Sequence, residues 1–425
     1  MMDRRRFLFN LVGDPWALAS TFEAAKKASF PTAHAATTQN EGARRNVKKD
    51  EQSNPVTLFL SGDVMTGRGI DQILPHPSDP RLYEPYVRSA EQYVALAEEI
   101  NGSIEKPVGY EYIWGDALAA FERTGPHARI INLETSITRS DDYWRGKGIN
   151  YRMHPDNVPC LNVAGIDCCV LANNHVLDWG YQGLFETLDV LRQNDITVAG
   201  AGRDLEEAQM PAVLNVGVNN RVLVFAFGLT SSGIPREWAA KRDRAGINLL
   251  ADLGDASVRR VADWVAVHKR PGDIVVVSIH WGGNWGYVIP DEQRRFAHRL
   301  IERGGIDIIH GHSSHHPKGI AVHRGRPVIY GCGDLLNDYE GIRGHEVFRG
   351  NLSLLYFVTI DPSTQQLIKF VMVPTRIKQF RLQHASAKET EWLGDLLNRL
   401  GTEWGTRVER NVHQELELRW VDQEM

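Results

Sequence analysis

Four histidines fall within seven residues of one stretch, IIHGHSSHHPKG (308–319): His310, His312, His315 and His316. An apolar lead, Ile306, Ile308 and Ile309, runs into them, and Pro317, Lys318 and Gly319 follow. The imidazoles therefore stand where a buried strand is expected to end. The same arrangement recurs along the chain. Asp63 follows the apolar run 56–60, Glu134 follows 128–133, Asn173, Asn174 and His175 follow 166–172, and His280 follows 273–279. In open α/β sheets the carboxyl edge of the strands is where ligands bind. Carboxylate and amide oxygens with several imidazoles and no thiolate suit Mn, Fe(II), Zn or Mg better than a structural zinc site. A bridging carboxylate can hold two such ions about 3.5–4 Å apart, a pair that clamps an anionic oxygen and generates hydroxide. His312 and His315 would be ligands on a loop leaving a strand, with Gly311 permitting a tight backbone path.

Taken singly, each residue has a plainer reading. Asp63 could cap a turn, Glu134 could sit favourably near a helix dipole, Asn174 could form an Asx turn, and His280 could be a satisfied core histidine. Five separate runs ending in Asp, Glu, Asn or His make a shared centre the better account. Asp178, three residues after His175, either orients that imidazole or starts the next helix. Arg68 either grips a substrate carboxylate or phosphate with two bonds or lies at the surface. His310 and His316 read as neighbours of the ligands or as surface residues.

Positioning these groups requires strands and helices in alternation. Strands are expected at 56–60, 128–133, 166–172, 196–202, 222–229, 273–279 and 306–309, with a hairpin around Arg324-Gly325. Between them lie helices that turn Leu184, Leu188 and Leu191, then Val258, Val261, Ala262 and Val265, then Phe296, Leu300 and Ile301 to one side. Such alternation implies an α/β fold with a mostly parallel or mixed sheet covered on both faces. A Tyr- and Glu-rich insertion, 71–127, is expected to form a helical cap over the site. Residues 1–54 form a basic segment and polar lead-in, and 55–385 the main domain. Residues 386–425, with a helix near 387–400, complete it.

The bulk numbers narrow the function. At 425 residues with 42% hydrophobic and 24% charged content, the chain has the composition of a soluble globular protein. A net charge of -5 argues against broad nucleic-acid binding. An acidic polymer would have to be met by local cations or metal. The four cysteines form no CxxC pair and read as buried, reduced thiols. No stretch of about 18 apolar residues suggests a transmembrane helix. Arg4-Arg5-Arg6 ahead of Phe7 and Leu8, with AHA at 33–35, resembles a degraded twin-arginine export signal, so the expected location is cytoplasmic or exported.

SGDVMTGR (61–68), NLETSIT (132–138), ANNHVLDWG (172–180), HWGGNWGY (280–287), GHSSHHPKG (311–319) and IYGCGDLLNDY (329–339) resemble, in order, the motifs of the CapA family. These are bacterial capsule-synthesis, poly-γ-glutamate-associated proteins of the calcineurin-like metallophosphatase fold. The resemblance implies a four-layer sandwich of two mixed sheets flanked by helices, with one or two divalent ions. It implies Asp63, Glu134, Asn174, His280, His312 and His315 as ligands and His175 as an acid facing the substrate. Tyr287, Asp334 and Asn337 are motif positions without an assigned role. Met65 stands where active metallophosphatases carry a histidine, and Gly283, Asn284 and Trp285 replace the usual continuation after His-Trp-Gly. The implied function is metal-dependent hydrolysis in the synthesis or processing of an anionic amide-linked polymer, alongside capsule-synthesis machinery. Phosphoesterase chemistry and a non-catalytic assembly scaffold are the alternatives.

Overall fold

The computed structural model describes residues 54–217 and 220–421; the twin-arginine-like segment lies outside them. Strand β1 (Val56–Val64) leads into the inserted helices α1 (Glu91–Asn101) and α2 (Asp116–Thr124). The next elements are β2 (Ala128–Leu133), β3 (Cys168–Val170), α3 (Gly180–Gln193) and β4 (Thr197–Ala199). A second group comprises β5 (Ala212–Val216), β6 (Asn220–Gly228), α4 (Asp255–His268), β7 (Ile274–His280), α5 (Asp291–Gly304) and β8 (Ile308–His312). The hairpin β9 (Ile320–His323) and β10 (Arg326–Ile329) follows it. The chain then returns through β11 (Asp334–Leu336), β12 (Leu352–Asp361), β13 (Gln366–Lys378), β14 (Arg381–His384), α6 (Ala387–Gly401), β15 (Thr406–Arg410) and β16 (Leu416–Trp420).

Among the described residues these strands build two large sheets. The ten-stranded sheet runs β15-β16-β13-β12-β1-β2-β3-β4, with β11 beside β1 and β14 beside β13. The six-stranded sheet runs β9-β10-β8-β7-β6-β5. Strands β1 to β4 are mutually parallel, as are β6, β7, β8 and β10. The expected mixed sandwich is what forms.

Alternation along the strands explains the layers. Leu58 and Leu60 of β1 pack with Val224, Val276 and Ile308 between the two sheets. The intervening Phe59, with Ile131 and Leu133, faces outward onto Leu184, Leu188 and Leu191 of α3. On the other side Val275, Val277 and Ile309 meet Val258, Val261 and Val265 of α4 and Phe296 and Leu300 of α5. Each such fully buried aliphatic or aromatic side chain contributes about 1.5–3 kcal/mol. Helix α6 starts at a capping box, Ser386 with Glu389, and inserts Leu393 and Leu397 into the inter-sheet core.

The insertion divides its work. Phe121 of α2 stacks edge-on against Phe59 at 4.7 Å, so that helix belongs to the outer layer and is not a cap. Helix α1 lies beside the loops at the strand ends: its Asn101 bonds Glu340. All four cysteines are buried and unpaired. No helix among the described residues is long and apolar enough to cross a membrane.

Candidate metal centre

The carboxyl ends of β1, β2, β3, β7 and β8 meet where the two sheets abut. His310 ties them there: its Nδ1 faces Ser278 Oγ at 3.1 Å and its Nε2 faces the Ser61 carbonyl of the other sheet at 2.7 Å. His310 is thus a buried brace. His316 is likewise internal, accepting from the Gly286 amide at 3.1 Å and stacking on Phe348.

Two overlapping groups of ligand atoms form at this junction. Asp63, His280 and His312 place one donor atom each within 4.8 Å of one another, and so do Asp63, His315 and Asp334. Asp63 is common to both. His280 Nδ1 lies 2.7 Å from His312 Nδ1, and His280 Nε2 lies 3.0 Å from Asn174 Oδ1. Glu134 Oε1 stands 3.8 Å from His280 Nε2 and 3.6 Å from His175 Nε2. Asp63, Glu134, Asn174, His175, His280, His312 and His315 are therefore brought together around one point.

Asp334 is the member that the sequence left without a role. It sits on a strand of three residues, β11, in register with Asp63. Their backbones approach so closely that a Cβ on Gly62 would lie 1.7 Å from the Gly333 carbonyl oxygen. Beside its place in the motif 329–339, the sequence hint was a shared pattern, Gly62-Asp63 and Gly333-Asp334. Asn337 donates to Asp334 Oδ2 at 2.8 Å, and His315 Nδ1 meets Oδ1 at 2.8 Å. Met65 is fully buried, its sulfur 3.4 Å from the Tyr339 hydroxyl. Asp334 thus brings an oxygen to a centre that lacks a first-motif imidazole.

The electrostatics fit a cation. Burial and the nearby Asp334 push the Asp63 carboxyl up to about 7, and burial with Asp63 drives Glu134 well above the usual range. Burial holds His280 and His312 well below ordinary histidine, hence neutral, as ligation requires. His315 goes the other way: against burial, Asp334 and Asp63 raise it. Asp63 Oδ2 and Glu134 Oε2 are buried with no hydrogen-bond partner. Orphaned carboxylate oxygens this deep are costly unless something positive meets them. The mixed oxygen and nitrogen donors suit a divalent ion.

Outer contacts fix the inner ones. Asn132 donates to Asp63 Oδ1 at 2.8 Å and is itself held by Asn173 at 3.0 Å. His175 Nδ1 meets Asp178 Oδ2 at 2.6 Å, so Asp178 orients the ring. Lys147, which sequence reasoning missed, reaches Asp178 Oδ1 at 2.5 Å and His175 Nδ1 at 2.8 Å. Burial lowers Lys147, and burial takes His175 down to about 4.

Arg68 departs from the substrate-gripping expectation. Its guanidinium is 2% exposed and is held by Asp338, by Glu84 at 3.0 Å and by the Tyr93 hydroxyl at 3.0 Å. With φ 50° it turns the backbone after β1 and braces the loop from within.

Residues 57–339 match the model of a family described as bacterial capsule synthesis protein PGA_cap. The chain is 50% identical to a "Probable polyglutamine synthesis accessory protein" of Mycobacterium tuberculosis (strain H37Rv), over 83% of this chain and 93% of that protein. It is 27% identical to the PGA biosynthesis protein CapA of Bacillus subtilis (strain 168), over 68% of this chain and 65% of that one. The capsule biosynthesis protein CapA of Bacillus anthracis is 23% identical over 68% of this chain and 62% of its own length.

Proposed function

This chain belongs to the bacterial capsule synthesis protein family, and from that premise we propose that it acts in making or processing poly-γ-glutamate as a metal-dependent hydrolase. The observation that carries the hydrolytic part is the position of Asp63, buried, short of a partner on Oδ2 and shared by two ligand groups. A scaffold would have no use for this collection of buried, mutually repelling carboxylates. His280, His312 and Asn174 would hold one divalent ion with Asp63, and His315 and Asp334 a second, with Glu134 beside the first. Such ions polarise a carbonyl or phosphoryl oxygen and acidify water.

The chain's own residues supply the rest. Donation from His175 Nδ1 to Asp178 leaves Nε2 turned toward Glu134 and the centre. There it can pass a proton to a leaving group once an anionic substrate raises its basicity. Lys147 offsets the charge of Asp178, the carboxylate that accepts from His175 Nδ1 in this tautomer. Replacing Asp178 by Asn is expected to lower kcat about 10–100-fold with a much smaller change in KM, the scale of losing an orienting partner. Steady-state kinetics checks this.

The direct test is metal addition to metal-stripped protein. Mn or Zn at 100 times its Kd should stabilise the fold by about 2.7 kcal/mol, seen as a higher Tm. Release of glutamate from a γ-glutamyl polymer should accompany it. No ion uptake and no Tm change would end the enzyme reading in favour of a scaffold; hydrolysis of nitrophenyl phosphate alone would move it to a phosphoesterase.

A further inference from the structure

A cavity of about 390 Å³ opens next to the metal centre, within the roughly 300–1,000 Å³ usual for ligand sites. Asn337 joins the two: it lines the cavity and donates to Asp334. Trp285 does the same on another wall, its ring 5.4 Å from His315 and stacked on His345 at 4.2 Å.

The charge in the cavity is unbalanced in a specific way. Arg343, Arg349, Arg376 and Lys378 contribute four cations, and Glu340, Glu346 and Glu389 three carboxylates. Those carboxylates are already engaged. Glu340 accepts from the Gln379 and Phe380 amides at 2.8 and 2.6 Å, and the Gly344 amide donates to exposed Glu346 at 3.1 Å. Glu389 serves the helix cap at Ser386 and stands 3.7 and 3.8 Å from Arg349 and Arg376, beyond hydrogen-bond reach. Arg376 Nε is buried with no hydrogen-bond partner. Among the described residues Arg343 and Lys378 form no ion pair within 4.0 Å. The lining also carries apolar surface, Ile100 and the indole of Trp285.

We propose that this cavity is the subsite that grips the anionic polymer beside the reacting bond, taking carboxylates on Arg376, Arg349 and Lys378 and the intervening methylenes on the indole of Trp285. The assignment rests on the polymer reading given above and adds where the chain is held. A γ-linked glutamyl chain alternates free carboxylates with short aliphatic spacers, and the lining offers guanidinium and ammonium groups for the first and an indole for the second. Arginine forks favour carboxylates with two parallel bonds.

Titration calorimetry of γ-linked tetraglutamate into metal-stripped full-length protein reads this subsite without turnover. Wild type is expected to bind, more weakly as salt rises. Arg376→Gln with Lys378→Gln should weaken binding about 10-fold or more, and Lys378→Gln alone, at a half-exposed position, by a smaller but measurable factor. Arg407→Gln, at a distant exposed residue, should bind as wild type does. No binding by wild type, or equal binding by both Lys378 variants and wild type, overturns the proposal. So does tripolyphosphate binding more tightly than tetraglutamate. If tetraglutamate binds through Arg376 and Lys378 yet the metal-loaded protein hydrolyses no γ-glutamyl bond, the hydrolase reading falls and the subsite stands.

Discussion

Asp63→Asn is expected to abolish turnover, by about 10³-fold or more, while making the metal-free protein more stable. Both effects come from one carboxylate. Asp63 belongs to both ligand groups, so an amide in its place weakens both ion positions at once. A loss of that size matches removal of a preorganised electrostatic partner of the transition state. Without ions the same carboxylate is a burden. It lies buried beside Glu134 and Asp334, with Oδ2 lacking a donor, and its acid form is favoured up to about pH 7. A neutral amide of equal size removes that repulsion, and a gain of about 1–3 kcal/mol follows from relieving a buried charged group. Thermal unfolding with and without Mn, combined with elemental analysis, measures both halves. The variant should melt higher than wild type when stripped and respond little to added ion. His280→Ala and Asp334→Asn should each lose only one ion. If Asp63→Asn kept the wild-type metal content, the shared-ligand assignment would be wrong.

Asp338→Ala is expected to cost about 3–5 kcal/mol of stability, among the largest single-site losses in the molecule. Asp338 receives Arg68 Nε at 3.1 Å and Nη2, and it also accepts from the Gly69 amide at 2.9 Å. Arg68 is buried between the rings of Tyr93 and Tyr151, 3.9 and 4.4 Å from their centres. Removing its main counter-charge strands a guanidinium away from water, the situation in which a broken buried pair is most damaging. Arg68→Lys should not be conservative, because an ammonium cannot reproduce the fork to Asp338 while also reaching Glu84 and Tyr93. Urea unfolding compares the variants at unchanged slope. A change within 1 kcal/mol would show that solvent reaches the arginine after all.

The part of the centre legible in sequence was the part carried by long periodic elements. Val275 and Val277 on one face and Ile274 and Val276 on the other mark β7 as a strand buried on both faces, and that fixed His280 at its end; β8 did the same for His312. Asp334 escaped because a strand of three residues has no period to read, and its alignment with Asp63 exists only through the pairing of β11 with β1. Lys147 lies in a loop 31 positions before Asp178, and nothing local foretells their contact. The role of Arg68 was equally hidden. Its partners Glu84 and Tyr93 lie within 25 residues, but Asp338 is 270 residues away. A surface arginine and a buried one look identical until that return of the chain is known. The insertion shows the same limit. Its helical character was anticipated, but only tertiary packing sends Phe121 to the back of the large sheet.

The tie between His310 and the Ser61 carbonyl marks the edge at which the two sheets are joined by polar groups. Asp63, Glu134 and Asn174 belong to one sheet there, and His280 and His312 to the other. An ion seated among them would act as a rivet between halves of the polypeptide that are otherwise held by the apolar layer and a few polar ties such as this one. Loss of the rivet would then be felt throughout the molecule, and the supply of divalent cation would govern how long each folded copy survives proteolysis as well as how fast it works.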